Sequence, residues 1–523
     1  MAMNGNSAAT RPASTELHWA MSGVMAESLQ HTLLPEQSDP FSERGIIGVV
    51  YRSSGRRRTT LLLQDVIVPL AGDVTWDRTH GLLFSATYKA RAANGIVARP
   101  GAGIAFIHTH PGSPSSPRAP APSPEDLESD SADLFAIGSA LPDFAPLVAA
   151  ILGANGLWSV REYTFAFPKT AREARRRAFS PHGGKIWFAT ATRVVGPGIR
   201  KRPTDRLADG VAGANGASTT AQDSSIRLWG EPGQRALSAL RVGIIGAGGV
   251  GSILSEHVAR LGVGETLHVD FDVVTTPNLN RSQGAKRQDA VSETLKTTVA
   301  LRLAKMAATA TAFVARAVVG SVVEHSTIPD LLDCDVILNA ADSPWARQVL
   351  DQLAFAHLIP VIHGGTTLRG NSDSGEIIAG KCEVSATGPG HPCSECLGVY
   401  TRADVTEAQE HPNVRGRRRY LETGAPLAPE EREASVISFN AVVAGLMQLR
   451  FLAIALGTTP GALVGAQRFY PIEGVLNWAP LKECRPGCHR SLTIGLGDVH
   501  ELPLGVDLDF QQARDRVRTT IAD

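Results

Sequence analysis

At 523 residues the chain exceeds what one ordinary core serves, so two or three domains are expected. Its 51 Lys and Arg balance its 51 Asp and Glu, with 43% hydrophobic residues; bulk charge therefore favours neither nucleic acid nor an acidic membrane. No run of about 18 apolar residues announces a membrane span, and Met1–Asn6 lacks the basic and apolar stretches of a secretory signal.

Residues 1–28 are mixed and polar and read as an N-terminal tail. Gly45–Tyr51, Thr60–Val68 and Gly103–His108 read as strands of a small sheet. Residues 112–124, rich in Pro, Ser and Ala, form a loop, and a helix follows from Ser123. A strand pair over 146–163 closes this first domain, drawn as 29–165. The run Arg172–Arg177 is a solvated helix face, and 203–225 has the composition of a flexible linker, so 166–225 is an extension plus linker. From 240 the pattern becomes strand–helix alternation: strand 240–245, helix 250–262, strand 266–271, helix 292–307, strand 336–340. That rhythm predicts an open, Rossmann-like α/β sheet over 226–500, with a tail over 501–523.

The first chemistry lies in His108-Thr109-His110-Pro111, followed by Ser123-Pro124-Glu125-Asp126. On a strand, residues i and i+2 share a face, so His108 and His110 can present two imidazoles to one metal. Ser123 suits a helix cap, Pro124 the first position, and Asp126 the third. Two His, one Asp and a water make a catalytic zinc site with an open position. Glu43, just before the first strand, is the candidate general base beside that water. Taken separately, each signature has a bland reading, as a packing pair of histidines and as a cap with a back-bonding acid.

The order and context of these residues resemble the JAB/JAMM (MPN-like) metallopeptidases. The resemblance implies that His108, His110 and Asp126 bind zinc, that Glu43 is the base, and that Ser123 stabilises the oxyanion. The chain departs from the family in its gap, with eleven residues between Pro111 and Ser123 where the family has six.

The second chemistry opens with Gly246, Gly248, Gly249 and Gly251, after a strand and at a helix start, where backbone amides favour phosphate. Asp270 ends the next strand, where an acid meets a ribose hydroxyl, as it would in a dinucleotide-binding dehydrogenase. Asn278, Asn280 and Arg281 follow, with Lys296 on the next helix and Asp342 past the strand 336–340. Adenylation needs cations around a triphosphate and a carboxylate for magnesium; Arg281 and Lys296 can be the cations and Asp342 the carboxylate.

The stretch 226–495 resembles the ThiF/MoeB/ubiquitin-activating (HesA/MoeB/ThiF) superfamily through Gly246–Ser252, Asp270/Asp272, Asn278–Arg281, Lys296 and Asp342. It implies ATP and Mg2+ as cofactors and activity as a homodimer. The family's upstream arginine falls on serine here, with Arg227 the nearest substitute. Cys393 and Cys396, with Cys484 and Cys488, supply four thiolates for a structural zinc. Only six cysteines are present, so the thiols point to a reducing, cytoplasmic setting. No cysteine falls within 397–483, where relatives carry a thioester nucleophile; that charged stretch, through 415–419 and 426–432, reads as a loop. Cys334 reads as buried and Cys382 as the one remaining candidate nucleophile.

The two resemblances combine into one expectation: adenylation of the C-terminal diglycine carboxylate of a ubiquitin-like or sulfur-carrier protein, joined to zinc-dependent processing of that modifier. A separate protein's thiol or a sulfur donor would then attack the adenylate. Sulfur-carrier activation in biosynthesis, and a scaffold with one inactive site, are the alternatives.

Overall fold

The computed structural model describes residues 16–35, 42–77, 81–110, 112, 115–116, 118–167, 184–204, 220–371, 374–411, 414, 435–457, 465–479 and 483–522. Two large sheets organise them. The first holds β1 (Glu16–Ser22), β2 (Gly45–Ser54), β3 (Arg58–Ile67), β6 (Gly103–His110), β7 (Leu147–Gly153), β8 (Trp158–Thr164), β9 (Lys185–Phe188), β10 (Ala191–Val195) and β11 (Ile199–Pro203). Their order is β11-β10-β1-β3-β2-β6-β7-β8-β9. The two remaining early strands, β4 (Val74–Asp77) and β5 (Gly81–Phe84), pair as a separate hairpin. Helix α1 (Gly23–Leu33) packs Ala26, Leu29 and Leu33 on one face of the large sheet. Helices α2 (Ala86–Val97) and α3 (Pro124–Gly138) cover the other through Tyr88, Ile96 and Leu134.

The second sheet runs β14-β13-β12-β15-β16-β17-β18-β19: β12 (Arg241–Ile245), β13 (Glu265–Val269), β14 (Val314–Val318), β15 (Val336–Asn339), β16 (Val361–Asn371), β17 (Glu376–Thr387), β18 (Ala466–Tyr470) and β19 (Val475–Ala479). The first five are parallel and the last three antiparallel. Helices α4 (Asp223–Ser238), α5 (Gly249–Arg260) and α8 (Ile437–Leu456) pack on one face; α7 (Pro344–Ala356) covers the other. Helix α6 (Lys296–Ala307) lies beside α5 and β14, and α9 (Leu508–Ala522) ends the chain. By length and composition α8 could cross a membrane. Here it is a core helix: Val443 and Met447 lie where a side chain on Gly364 of β16 would fall, and Arg450 is fully buried on the same helix.

Three boundaries differ from the sequence reading. The expected tail 1–28 contains β1, an internal strand paired in parallel with both β3 and β10; residues 1–15 lie outside the described residues. The expected extension and linker 166–225 contains β9, β10 and β11, which complete the first sheet; 205–219 and the run 172–177 lie outside the described residues. The expected tail 501–523 is docked: Leu502 and Leu504 pack on the α7 core, Trp345 Nε1 donates to the Pro503 carbonyl at 2.7 Å, and α9 follows. The charged stretches 415–419 and 426–432 also lie outside the described residues.

The two sheets meet through buried charge. Asp335, at the amino end of β15, accepts from Arg58 Nη1 at 2.7 Å, Arg193 Nη1 at 2.9 Å and Lys201 Nζ at 2.8 Å. Around it Arg56 pairs with Asp330, Arg57 with Glu265 and Asp333, and Arg241 with Glu16. Burial alone would raise the Asp335 carboxyl, but Lys201, Arg58 and Arg193 hold it well below its ordinary value.

Candidate functional sites

The first site forms where β6 ends against α3. His108 and His110 stand on one face of β6, as the two-residue period requires. Ser123 caps α3: its Oγ accepts from Asp126 N at 3.0 Å, while Ser123 N donates to Asp126 Oδ2 at 2.7 Å. Such a capping box contributes about 1 kcal/mol. The cap is not an alternative to the site, because the same carboxylate turns to both imidazoles. His108 Nε2 lies 3.4 Å from Asp126 Oδ1, His110 Nε2 lies 3.1 Å from Oδ2, and the two Nε2 atoms are 3.2 Å apart. Zinc bonds of about 2.0–2.2 Å place tetrahedral neighbours about 3.3 Å apart, so this donor set has the spacing such a metal requires. One turn along α3, buried Asp130 pairs with Arg161 of β8 and anchors the helix. Burial would raise the Asp126 carboxyl; hydrogen bonds from His108 and His110 outweigh it and hold it well below the usual range.

Glu43 is half-buried beside this site. Gly45 pairs with His108 and Thr109 N donates to the Arg44 carbonyl at 2.9 Å. Continuing that register sets Glu43 opposite His110, on the face that carries both imidazoles.

The second site lies at the carboxyl ends of β12, β13 and β15. Strand order reverses between β12 and β15, which is where open α/β sheets place ligands. Gly246 has φ +80°, and a Cβ on Gly251 would overlap the Gly246 carbonyl oxygen, so the first turn of α5 closes only with glycine there. At Gly249 a Cβ would strike Asn440 of α8; at Gly248 it would meet nothing within 4 Å, which leaves the loop open to a ligand. Asp270 Oδ2 accepts from Ala247 N at 2.6 Å and Oδ1 from Asp272 N at 2.8 Å. Lys296 Nζ pairs with Asp272 at 2.8 Å. Burial would lower Lys296, but Asp270 and Asp272 raise it, whereas Asp270 is itself raised by burial against the pull of Lys296.

Arg281 lies over the glycine loop, its Cδ 3.6 Å from where a Gly249 Cβ would be, and donates to the Pro277 carbonyl and Asn280 Oδ1. Asn278 is turned inward: its Oδ1 accepts from Thr275 N and Oγ1, each at 3.0 Å. It therefore shapes the turn that presents Arg281. Asp342 is exposed just past β15, and the Ala340–Ala341 backbone before it abuts Gly246. Arg227, 78% exposed, pairs with Asp223 on its own helix.

Sequence reasoning missed three neighbours of this crevice. Arg347 on α7 stands over Gly365, where no Cβ intervenes; burial lowers it and Asp342 is the first of the carboxylates that offset this. Its only signal was its place in the helix begun by Ser343-Pro344. Asn440 packs on Gly249. Phe510 of α9 meets Phe271, between Asp270 and Asp272, at 5.3 Å between ring centres; a docked C-terminal helix was not visible in the pattern.

The four cysteines converge. Cys393 caps the short helix Ser394–Leu397 and Cys396 lies within it, while Cys484 and Cys488 come from near the carboxyl end. All four sulfurs lie within 4.8 Å of one another, with Cys393 and Cys488 Sγ 3.9 Å apart. Backbone amides of Cys393 and Arg485 point to the sulfurs of Cys484 and Cys396 at 3.2 and 3.4 Å. The arrangement could hold a tetrahedral thiophilic metal. Cys382, the remaining candidate nucleophile, lies in the core beneath α8, fully buried, and burial pushes its thiol up to about 11. Burial of this kind disfavours the thiolate that a nucleophile needs. Cys334 is buried, as expected, with its thiol pushed up to about 12.

A family model described as "ThiF family" matches residues 221–488, just over half of the 523 residues. The chain is 29% identical over 167 residues to the molybdopterin-synthase adenylyltransferase of Escherichia coli (strain K12), covering 32% of this chain and 61% of that protein. It is 30% identical over 169 residues to the SAMP-activating enzyme E1 of Haloferax volcanii, covering 32% and 57%. With the sulfur carrier protein ThiS adenylyltransferase of Bacillus subtilis (strain 168) it shares 30% over 135 residues, covering 26% and 40%. The chain thus spans about three-fifths or less of the length of these curated relatives. A crystal structure of E. coli MccB with MccA-N7isoASN aligns with a TM-score of 0.42 at 17% identity, over 53% of this chain and 76% of that one.

Proposed function

The chain belongs to the ThiF family, and from that premise we propose that the β12–β15 crevice binds ATP and adenylates the C-terminal glycine carboxylate of a ubiquitin-like or sulfur-carrier protein. The observation that carries this reading is the meeting of the open glycine loop, Asp270, Arg281, Lys296 and Asp342 at one reversal of strand order. Relatives named as adenylyltransferases, one of them for the sulfur carrier ThiS, support a protein carboxylate as substrate.

In the proposed reaction a carboxylate oxygen forms a bond to the α-phosphorus, the bond to the β-phosphate oxygen breaks, and pyrophosphate leaves with its electron pair. The loop amides and the amino end of α5 receive phosphate oxygens. Asp270 turns a carboxylate oxygen to a ribose hydroxyl. Lys296 passes from Asp272 towards the phosphates, and Arg281 stabilises charge on the leaving side. Asp342 would hold magnesium, which supplies positive charge against the triphosphate when bound. The buried Cys382 leaves the acyl-adenylate as the last intermediate on this chain, to be attacked by a separate thiol or sulfur donor.

The three-donor cluster on β6 and α3 favours a second activity, zinc-dependent (iso)peptidase processing of the same modifier in the manner of JAMM enzymes. His108, His110 and Asp126 would hold the metal, which would supply the positive charge that acidifies a water there. Glu43 would accept a proton and Ser123 would donate to the oxyanion, its hydroxyl oxygen already accepting from Asp126 N. The four-thiolate cluster would hold a structural zinc. In this reading the peptidase unit is drawn as 16–203 in place of 29–165, and the adenylating unit as 220–522 acting as a homodimer in a reducing, cytoplasmic setting. ATP–pyrophosphate exchange with a panel of diglycine-ended carriers tests the proposal. Exchange that needs a carrier and vanishes in Asp342→Ala supports it; exchange unchanged in that variant refutes it.

A further inference from the structure

A buried polar chain runs from the Asp342 turn to the four-thiolate cluster. Asn339 ends β15 directly opposite His363 of β16, and both are buried together with Asp351 of α7. Ala341 N donates to Asn339 Oδ1 at 3.2 Å, Asn339 Nδ2 lies 3.0 Å from His363 Nδ1, and His363 Nε2 lies 3.1 Å from Asp351 Oδ1. These contacts fix every proton. The Ala341 amide can only donate, so Asn339 must present its oxygen there and its NH2 to His363. That NH2 can only donate, so His363 Nδ1 must be a bare acceptor and the proton must sit on Nε2, aimed at Asp351.

Asp351 is saturated from the far side. Its Oδ2 accepts from Ser394 N at 3.0 Å and Tyr400 OH at 2.9 Å, and its Oδ1 from Ser394 Oγ at 2.9 Å. Ser394 stands between Cys393 and Cys396. Arg490, two residues past Cys488, donates to Tyr400 OH at 3.0 Å and to Glu395 at 2.9 Å.

We infer that Asn339, His363 and Asp351 are positioning residues for Asp342, and that through Ser394 they tie the nucleotide crevice to the thiolate cluster. A buried carboxylate with this many donors is a poor device for stability alone, because well-packed apolar residues serve that end as well or better. What the chain does secure is geometry. The turn 340–342 leaves β15 on two backbone tethers, Ala340 N to the Ile245 carbonyl and Ala341 N to Asn339. The second holds only while Asn339 is locked by His363. The inference rests on the reading of Asp342 as the magnesium carboxylate.

The test is the Mg2+ concentration giving half-maximal ATP binding by the full chain, in a double-mutant cycle with Asp342→Ala. Asp351→Asn removes a carboxylate oxygen that the chain needs. Asn339→Ala cuts the same chain without touching the residues around the thiolates, and serves where the first variant folds poorly. Each should raise the requirement about tenfold, as loss of an outer partner to a metal ligand does, and should add nothing once Asp342 is alanine. Additive effects would overturn the inference and leave the magnesium reading standing. An unchanged requirement in Asp342→Ala alone would overturn that reading and this inference with it. Nitrogen NMR of His363 provides a second readout: the Nε2–H tautomer is expected, and the Nδ1–H tautomer would break the chain.

Discussion

Replacing Asp335 with alanine would remove the single carboxylate that Arg58, Arg193 and Lys201 share at 2.7–2.9 Å. Arg58 and Asp335 are fully buried, and Arg193 nearly so. Three cations would be left facing one another, with only Lys201 partly open to solvent. Removing one partner of a buried ion pair costs about 3–5 kcal/mol, against a typical total of about 5–15 kcal/mol. Burial already lowers Lys201, so that amine can relieve the repulsion by giving up its proton, which keeps the cost inside this range. The three cations come from β3, β10 and β11 of the first sheet and the acid from β15 of the second. The loss therefore falls on the joint between the sheets. Urea unfolding followed by tryptophan fluorescence, with calorimetry, should show a lower midpoint and a separation of one transition into two. A change below about 1 kcal/mol with the transition shape intact would mean that the network is dispensable and the sheets are held together otherwise.

Three further outcomes follow from the same geometry. Gly251→Ala should abolish nucleotide binding, since its Cβ would overlap the Gly246 carbonyl; isothermal titration giving wild-type ATP affinity would refute this. His18, His268 and His357 are fully buried and held neutral by desolvation, at about 3, 4 and 3. Their folded pKa values lie below the unfolded value of about 6.5, so the stability they contribute is complete above that pH and is lost as pH falls towards 3–4. At pH 5 each would have cost about 2 kcal/mol, so denaturation midpoints should fall steeply between pH 6.5 and 5, and a flat profile would contradict the burial argument. Cys382 should resist iodoacetamide in the native chain, and Cys382→Ala should retain exchange activity; rapid labelling at that thiol, read by peptide mass, would restore it as a nucleophile.

The legible parts of this molecule were those whose signal is local. His108 and His110 share a face because a strand has a two-residue period, and Asp126 reaches them because the third position of a capped helix points back at the strand. The glycine loop was readable because Gly251 is demanded by the Gly246 carbonyl five residues before it, whereas the partners of Gly246 and Gly249, Ala340–Ala341 and Asn440, lie far along the chain. What was not legible depends on partners far along the chain. Arg56–Arg58, and the Arg- and Lys-bearing strands β10 and β11, carry the composition of a solvated surface and a linker. They are structural because Asp330, Asp333 and Asp335 lie some 130–280 residues further on. Strand β1 is short and has no turn partner, and its two neighbours are both parallel and remote. Asp351 and His363 look like ordinary helix and strand residues until Asn339 and Ser394 are brought to them.

The most direct measurement is the intact mass of a diglycine-ended carrier protein after incubation with the full chain, ATP and Mg2+, in parallel with Asp342→Ala. An AMP adduct on the carrier that forms with the native chain and is lost in the variant is the predicted result. A carrier left unmodified while ATP is bound would contradict adenylation at the β12–β15 crevice.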